Sequence, residues 1–252
     1  MSETITRTLS PPETKRVRYQ RNFIKIAVCE LKFPVVLDLE HSPPAALQKA
    51  LRKKFPLFES ARDFQITDNP TPATRRHYSM KSKKGDWTIT LKSDSLALET
   101  SSYTDFADFL GQLKFVVDKS GPTIDSDFFT RVGLRYVNSI PADPEDIDSW
   151  LNPRLTSTVS GGELGTIIHE YHEFRGFTDF GSFSFRHGPE LDKIVDSSKT
   201  VPYMLDFDYY TENLDASELE QFLVQSNEIN YNFFHWCLGN SALDWLGEGT
   251  PK

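Results

Sequence analysis

Two long stretches of helical periodicity, each preceded by a series of short strand-like runs, constrain this chain more than any other feature. From Thr104 to Asp118, Phe106, Phe109, Leu110, Leu113 and Val117 recur at the spacing that gathers side chains on one helix face, and Gly121-Pro122 closes the stretch. From Ser217 towards Leu238, Leu219, Phe222, Leu223, Ile229, Phe233 and Cys237 do the same. A helix with one apolar face has to bury it, and the neighbouring strands are the surface on offer.

The strand-like runs fall into two series. Asn22 to Phe33 is rich in β-branched and aromatic residues and is ended by Pro34. Ser42, Pro43 and Pro44 then predict a helix start, with Leu47, Leu51 and Phe55 on one face until Pro56. Arg76 to Ser82, Asp86 to Lys92 and Ser95 to Ser101 read as a meander separated by turn-forming segments. In the second series, Phe129 to Ile140 is a strand, Asp143-Pro144 opens a short helix reaching Leu151, and Gly165 to Phe174, Gly181 to His187 and Val201 to Tyr210 are strands. TDFADFLGQL (Thr104 to Leu113) and SELEQFLVQS (Ser217 to Ser226) are alike, as a duplication would make them.

The predicted fold class is therefore α+β. Two similar β-α-β-β-β-α halves, residues 21–127 and 128–252 of a single domain, form a largely antiparallel sheet backed by helices. The polar segment 1–20, with Pro11 and Pro12, is expected to be a flexible N-terminal arm.

Charge and cysteine content narrow the function. The formal net charge of −8 disfavours nonspecific nucleic-acid binding, although a local basic patch remains open. Cys29 and Cys237 each sit in an apolar segment outside any CxxC or Cys/His cluster, which predicts two buried free thiols. No apolar leader and no membrane-length apolar run is visible, so the expected location is cytoplasmic, with no membrane partner. No P-loop, GxSxG, dinucleotide fingerprint or Cys/His nucleophile pair occurs, so no catalytic residue and no cofactor is predicted.

Three groups of residues are candidates for function. Strand alternation places Arg131, Gly133 and Arg135 on one face, opposite Val132, Leu134 and Tyr136, and places Asp206 and Asp208 on one face opposite Leu205 and Phe207. Aligning the halves on their first strands sets Glu30 level with Arg135. Glu30, Arg131, Arg135, Asp206 and Asp208 are thus the candidates for binding a ligand or partner, either as a charge ladder or as an anion-binding cleft. Arg75, Arg76, Lys81, Lys83 and Lys84, interleaved with Tyr78 and Trp87, form a basic hairpin that would meet nucleic-acid phosphate. His169-Glu170-Tyr171-His172-Glu173 is the most enzyme-like string, but its histidines lack HExxH spacing, and on a strand His169 and His172 face opposite ways. His169 and His172 are weak metal candidates that would need further ligands, such as His187 or Asp179.

AVCELKF (Ala27 to Phe33) and RVGLRYVNSI (Arg131 to Ile140) carry a resemblance to a sporadically distributed family of uncharacterised bacterial proteins of about this length. That family resembles this chain in an AVCExxF-like first strand, an RxGLRYxN central strand and an acidic-aromatic strand before a long helix, roles that LDFDYY (Leu205 to Tyr210) and the segment through Tyr231, Phe233 and Phe234 would fill. Lys25 or Ile26 stands where the resemblance would have an acidic residue, so no role carries over to that position. The resemblance implies a fold rather than an activity, and its patchy occurrence implies an accessory of a bacterial antiphage or CRISPR-associated defence system. The resulting expectation is a non-enzymatic binding or regulatory protein acting through a protein partner. The alternatives are a metal-dependent enzyme centred on His169, Glu170 and His172, and a nucleic-acid-binding protein using the Lys81 to Lys84 hairpin.

Overall fold

Strand-forming runs and amphipathic helices alternate along the chain in a computed structural model that describes residues 8–65, 73–142, 146–156, 160, 165, 169–189 and 202–247, with backbone alone for 62–65 and 73–75. The strands are β1 (Ile24–Lys32), β2 (Leu57–Gln65), β3 (Ala73–Lys81), β4 (Trp87–Leu91), β5 (Ser95–Thr100), β6 (Phe128–Ile140), β7 (His172–Phe177), β8 (Ser182–Pro189) and β9 (Tyr203–Asp215). The helices are α1 (Asp38–His41), α2 (Ala45–Leu51), α3 (Phe106–Ile124), α4 (Ile147–Trp150), α5 (Pro153–Thr156), α6 (Leu219–Cys237) and α7 (Asn240–Leu246). Hydrogen bonding orders the strands β2-β3-β4-β5-β1-β6-β9-β8-β7. The α+β class thus holds, with a large antiparallel sheet. No helix among the described residues is long and apolar enough to cross a membrane.

The order of elements differs from the expected repeat. β2 lies outside the expected strands because Leu57 to Ala61 are exposed on both faces and carry no apolar alternation. It pairs antiparallel with β3 from Leu57 opposite Lys81 to Gln65 opposite Ala73, so four strands rather than three separate α2 from α3. Three strands, β7 to β9, occupy the corresponding place in the second half, and the internal duplication is not confirmed. Ser42 does not cap α2. Its N–H donates to the Asp38 carbonyl and closes α1, while α2 starts beyond Pro44. α3 runs past Gly121-Pro122 to Ile124 and ends on Asp125, whose φ of 45° is left-handed. The missing Pro122 N–H costs one ladder bond near the helix end. At the other end the Asp105 carboxylate accepts from the Asp108 N–H, which stops fraying there.

The chain divides into two compact units, which do not coincide with the expected consecutive halves. One comprises Ile26–Leu134 and Tyr210–Leu223, the other Met1–Lys25, Arg135–Tyr209 and Val224–Lys252. In the first, Ala27, Cys29 and Leu31 alternate inward from β1, and β5 presents Leu98 opposite Cys29. Leu47 and Leu51 of α2, Phe109, Leu113 and Val116 of α3, and Phe222 and Leu223 of α6 are all buried, as amphipathic helices require, while Phe106 and Leu110 are half-buried. Tyr78 is fully buried and its hydroxyl is held by the Leu39 and Ser42 carbonyls.

The second unit has an aromatic core. Ring centroids of Phe185 and Phe207 lie 4.8 Å apart, and Phe233 of α6 sits 4.8 Å from Phe183 and 5.1 Å from Phe185. Residues 8–20 of the expected arm, with Arg21 after them, lie extended along this unit. The Thr14 and Val17 N–H groups donate to Asn232 Oδ1 and the Tyr231 hydroxyl, those of Gln20 and Arg21 donate to the Gly247 and Leu246 carbonyls, and the Arg21 guanidinium covers the Trp245 ring at 4.5 Å. Because Phe185 is fully buried among the rings of Phe174, His187, Phe207 and Phe233, Phe185→Ala is expected to cost about 3–5 kcal/mol, measured as a fall in the urea midpoint at unchanged slope.

Candidate functional site

A carboxylate in the interior of a sheet needs cations and hydrogen-bond donors, because an unpaired buried charge is far costlier than a solvated one. Asp206 on β9 is such a group, with its side chain 3% exposed. β6 buries Val132, Leu134 and Tyr136 on one face and so presents Arg135 on the other. Arg135 Nε and Nη2 donate to Asp206 Oδ1 and Oδ2 at 2.7 and 2.8 Å, a two-point match between planar groups. Arg186 Nη1 of β8 donates to Asp206 Oδ2 at 3.4 Å, and Arg186 Nε reaches Glu173 Oε1 of β7 at 3.2 Å. Glu173 also accepts from Arg175 and from the Ser184 hydroxyl. The hydrogen bond from Arg175 is the main cause that holds the Glu173 carboxyl below its ordinary range, against some opposing desolvation. Partial burial works against the charge of Arg186, but Asp206 and the neighbouring negative groups outweigh it, so the guanidinium is held above its ordinary value.

The other predicted members of this group separate. Glu30 pairs with Arg131, four residues before Arg135 on the same face of β6, at 3.3 Å. The Arg131 guanidinium also lies 4.4 Å from the centroid of the Tyr210 ring and folds back over Gly133. A Cβ at 133 would stand 2.8 Å from Arg131 Nη1, so the glycine in RVGLR makes room for its own neighbour's side chain. Asp208 is half-buried, on the same face of β9 as Asp206.

Beside the Arg135–Asp206 pair opens a concavity of about 350 Å³. Arg135 and Arg186 form a cationic wall over Asp206, Met204 and Pro189 contribute apolar surface, and His169, Glu170 and Tyr171 complete the rim. Gly188 lets that rim approach: a Cβ there would fall 1.8 Å from the Glu170 carbonyl oxygen. Tyr171 is 52% exposed immediately before β7, and Phe177 at 64% and Phe180 at 58% are exposed at the turn end of the β7–β8 hairpin.

The histidine string is organised differently from a metal centre. His172 Nε2 donates to Glu170 Oε1 at 2.6 Å, and the His172 ring stacks on His187 with centroids 5.0 Å apart and planes 13° from parallel. Tyr203 donates its hydroxyl proton to the Leu155 carbonyl and therefore accepts from His187 Nδ1 at 2.8 Å. His169 lies on the rim of the concavity, and no group of three or more His, Cys, Asp or Glu among the described residues is arranged to hold a metal ion. In the basic hairpin, Lys81 pairs with Glu59 at 2.9 Å and Arg76 donates to the His41 carbonyl. Lys83 and Lys84 are exposed at the turn, and the Arg75 side chain falls outside the described residues. Cys29 and Cys237 are buried free thiols.

Arg186, Tyr203 and Gly188 were missed by sequence reasoning, and Glu173 figured only as the end of the histidine string. Arg186 carried a readable signal, a charged residue following an alternation of serine and phenylalanine in SFSFRH. No family model matches the chain, and comparison with curated proteins found no match.

Arg135→Met is expected to lower stability by about 1–3 kcal/mol, since it strips two donors from a buried carboxylate. Chemical denaturation at neutral pH reads this. His187 supplies a pH test. Burial first, and His172 second, push it down from 6.5 to about 4, partly opposed by Glu170. Its folded value lies below its unfolded one, so its contribution is fully present above 6.5 and is lost as pH falls from 6.5 through about 4. Urea midpoints across that window are expected to fall more steeply for the unaltered protein than for His187→Gln.

Proposed function

We propose that this protein is a non-enzymatic binding or regulatory protein that acts through a protein partner, with the rim and wall of the Arg135–Arg186 concavity as the contact face. The observation that carries this reading is the company the concavity keeps. Tyr171 on its rim is 52% exposed beside two arginines anchored from below, and Phe177 and Phe180, at 64% and 58%, carry exposed aromatic surface on to the turn end of the same hairpin. Aromatic residues and arginine are the side chains that dominate binding energy at interfaces, because they bring large contact area at low cost in lost rotamer freedom. Exposing several rings together is unfavourable for a protein that never covers them.

The test is affinity capture from cells expressing the tagged full-length chain at native level, compared by quantitative mass spectrometry with the double variant Phe177→Asp, Phe180→Asp. A protein enriched with the unaltered chain and reduced at least tenfold with the variant is the expected result. Equal recovery with both, or no enriched protein, would overturn the reading.

A further inference from the structure

Resting on the partner-binding reading above, we infer that the group the partner places in the concavity is a carboxylate, received by Arg135 and Arg186. The Arg135 side chain is 44% exposed and that of Arg186 28%, whereas the carboxylate they share, Asp206, is 3% exposed beneath them. The second acid of the site, Glu170, is 17% exposed and bonded to His172 at 2.6 Å. The two acids that line the concavity are turned toward their own donors, and the two arginines are the more exposed charges there. An incoming group therefore meets guanidinium first.

Preorganisation is the second element. Asp206 fixes Arg135 through two bonds, and Arg186 is held at both ends of its guanidinium by Asp206 and Glu173. Side-chain freedom normally lost on binding is already restricted in the free protein, so more of the interaction appears as affinity. A planar guanidinium presents parallel N–H donors that match the two oxygens of a carboxylate.

Charge favours a carboxylate over a phosphate. Arg135 and Arg186 are balanced by Asp206 and Glu170 in the same walls, so little net attraction is on offer, and stripping water from a dianion costs more than stripping it from a monoanion. Met204 and Pro189 then offer apolar surface to the aliphatic part of an amino-acid residue, and about 350 Å³ is the lower end of the range for a small-molecule pocket.

The experiment follows the Nε–H resonances of Arg135 and Arg186 in the ¹⁵N-labelled full-length protein during titration with three probes. Acetyl-glutamyl amide offers a side-chain carboxylate, acetyl-alanine a chain-terminal one, and inorganic phosphate the competing chemistry. The expected result is a saturable shift of both resonances with one carboxylate probe at roughly millimolar concentration, equivalent to about 4 kcal/mol. The probe that saturates first identifies the source. Arg135→Lys, which keeps the charge and loses the planar fork, should weaken that probe at least tenfold with the circular dichroism spectrum unchanged. No saturable shift, or tighter saturation by phosphate, would overturn the inference. Phe177→Asp with Phe180→Asp should leave the probe titration unchanged, so partner capture and carboxylate binding fail separately. A partner captured equally well by Arg135→Lys would sink the carboxylate assignment while the partner reading stands.

Discussion

Asp206 is a carboxylate that the sheet has taken out of water, and much of the surrounding arrangement answers that fact. Arg135, Asp206, Arg186 and Glu173 lie on β6, β9, β8 and β7, which are neighbours in that order. Positive and negative groups therefore alternate in a row across four strands. Glu173 stands directly opposite Arg186 in the β7–β8 register, so a slip of one residue would turn one of the pair to the wrong face. Such a row adds little to net stability over an apolar equivalent, since each charge loses hydration, but breaking it at one point leaves a buried carboxylate short of donors. Its contribution is to choose one register from several that an aromatic core alone would accept.

Alternation within a strand is a local property, and this is why it was legible. Val132, Leu134 and Tyr136 announced which face of β6 carries Arg135, and the need for an acid beside that arginine followed. Which acid answers depends on strands separated by about seventy residues, and sequence position alone set Glu30 level with Arg135 when its partner is Arg131. Elements without an apolar period were invisible for the same reason. β2 exposes both faces from Leu57 to Ala61, and Ser42-Pro43-Pro44 looked like one helix start because α1, only four residues long, is too short to show a period. The concavity was the least legible feature, since it is made by side chains from β6, β8, β9 and the approach to β7.

Arg131 and Arg135 show how two like residues on one strand face acquire unlike roles. Arg131 has a ring beside it, an acid at 3.3 Å and a glycine beneath it, and its side chain is spent on its own surroundings. Arg135 is anchored from below by Asp206 and remains 44% exposed. The difference lies in what the neighbouring strand supplies at each level, an aromatic ring at Tyr210 and a carboxylate at Asp206.

The segment 8–21, laid along α6 and α7, bears on how the chain comes to be folded. The unit to which it belongs also needs residues 135–209 and the aromatic side chain of Phe233, so its parts are separated by more than a hundred residues of intervening chain. During synthesis the strands carrying Phe183, Phe185 and Phe207 are made before the helix that covers them. Those rings must wait on the ribosome without Phe233, and the interval is one in which nascent chains rely on chaperones to avoid association through exposed apolar surface.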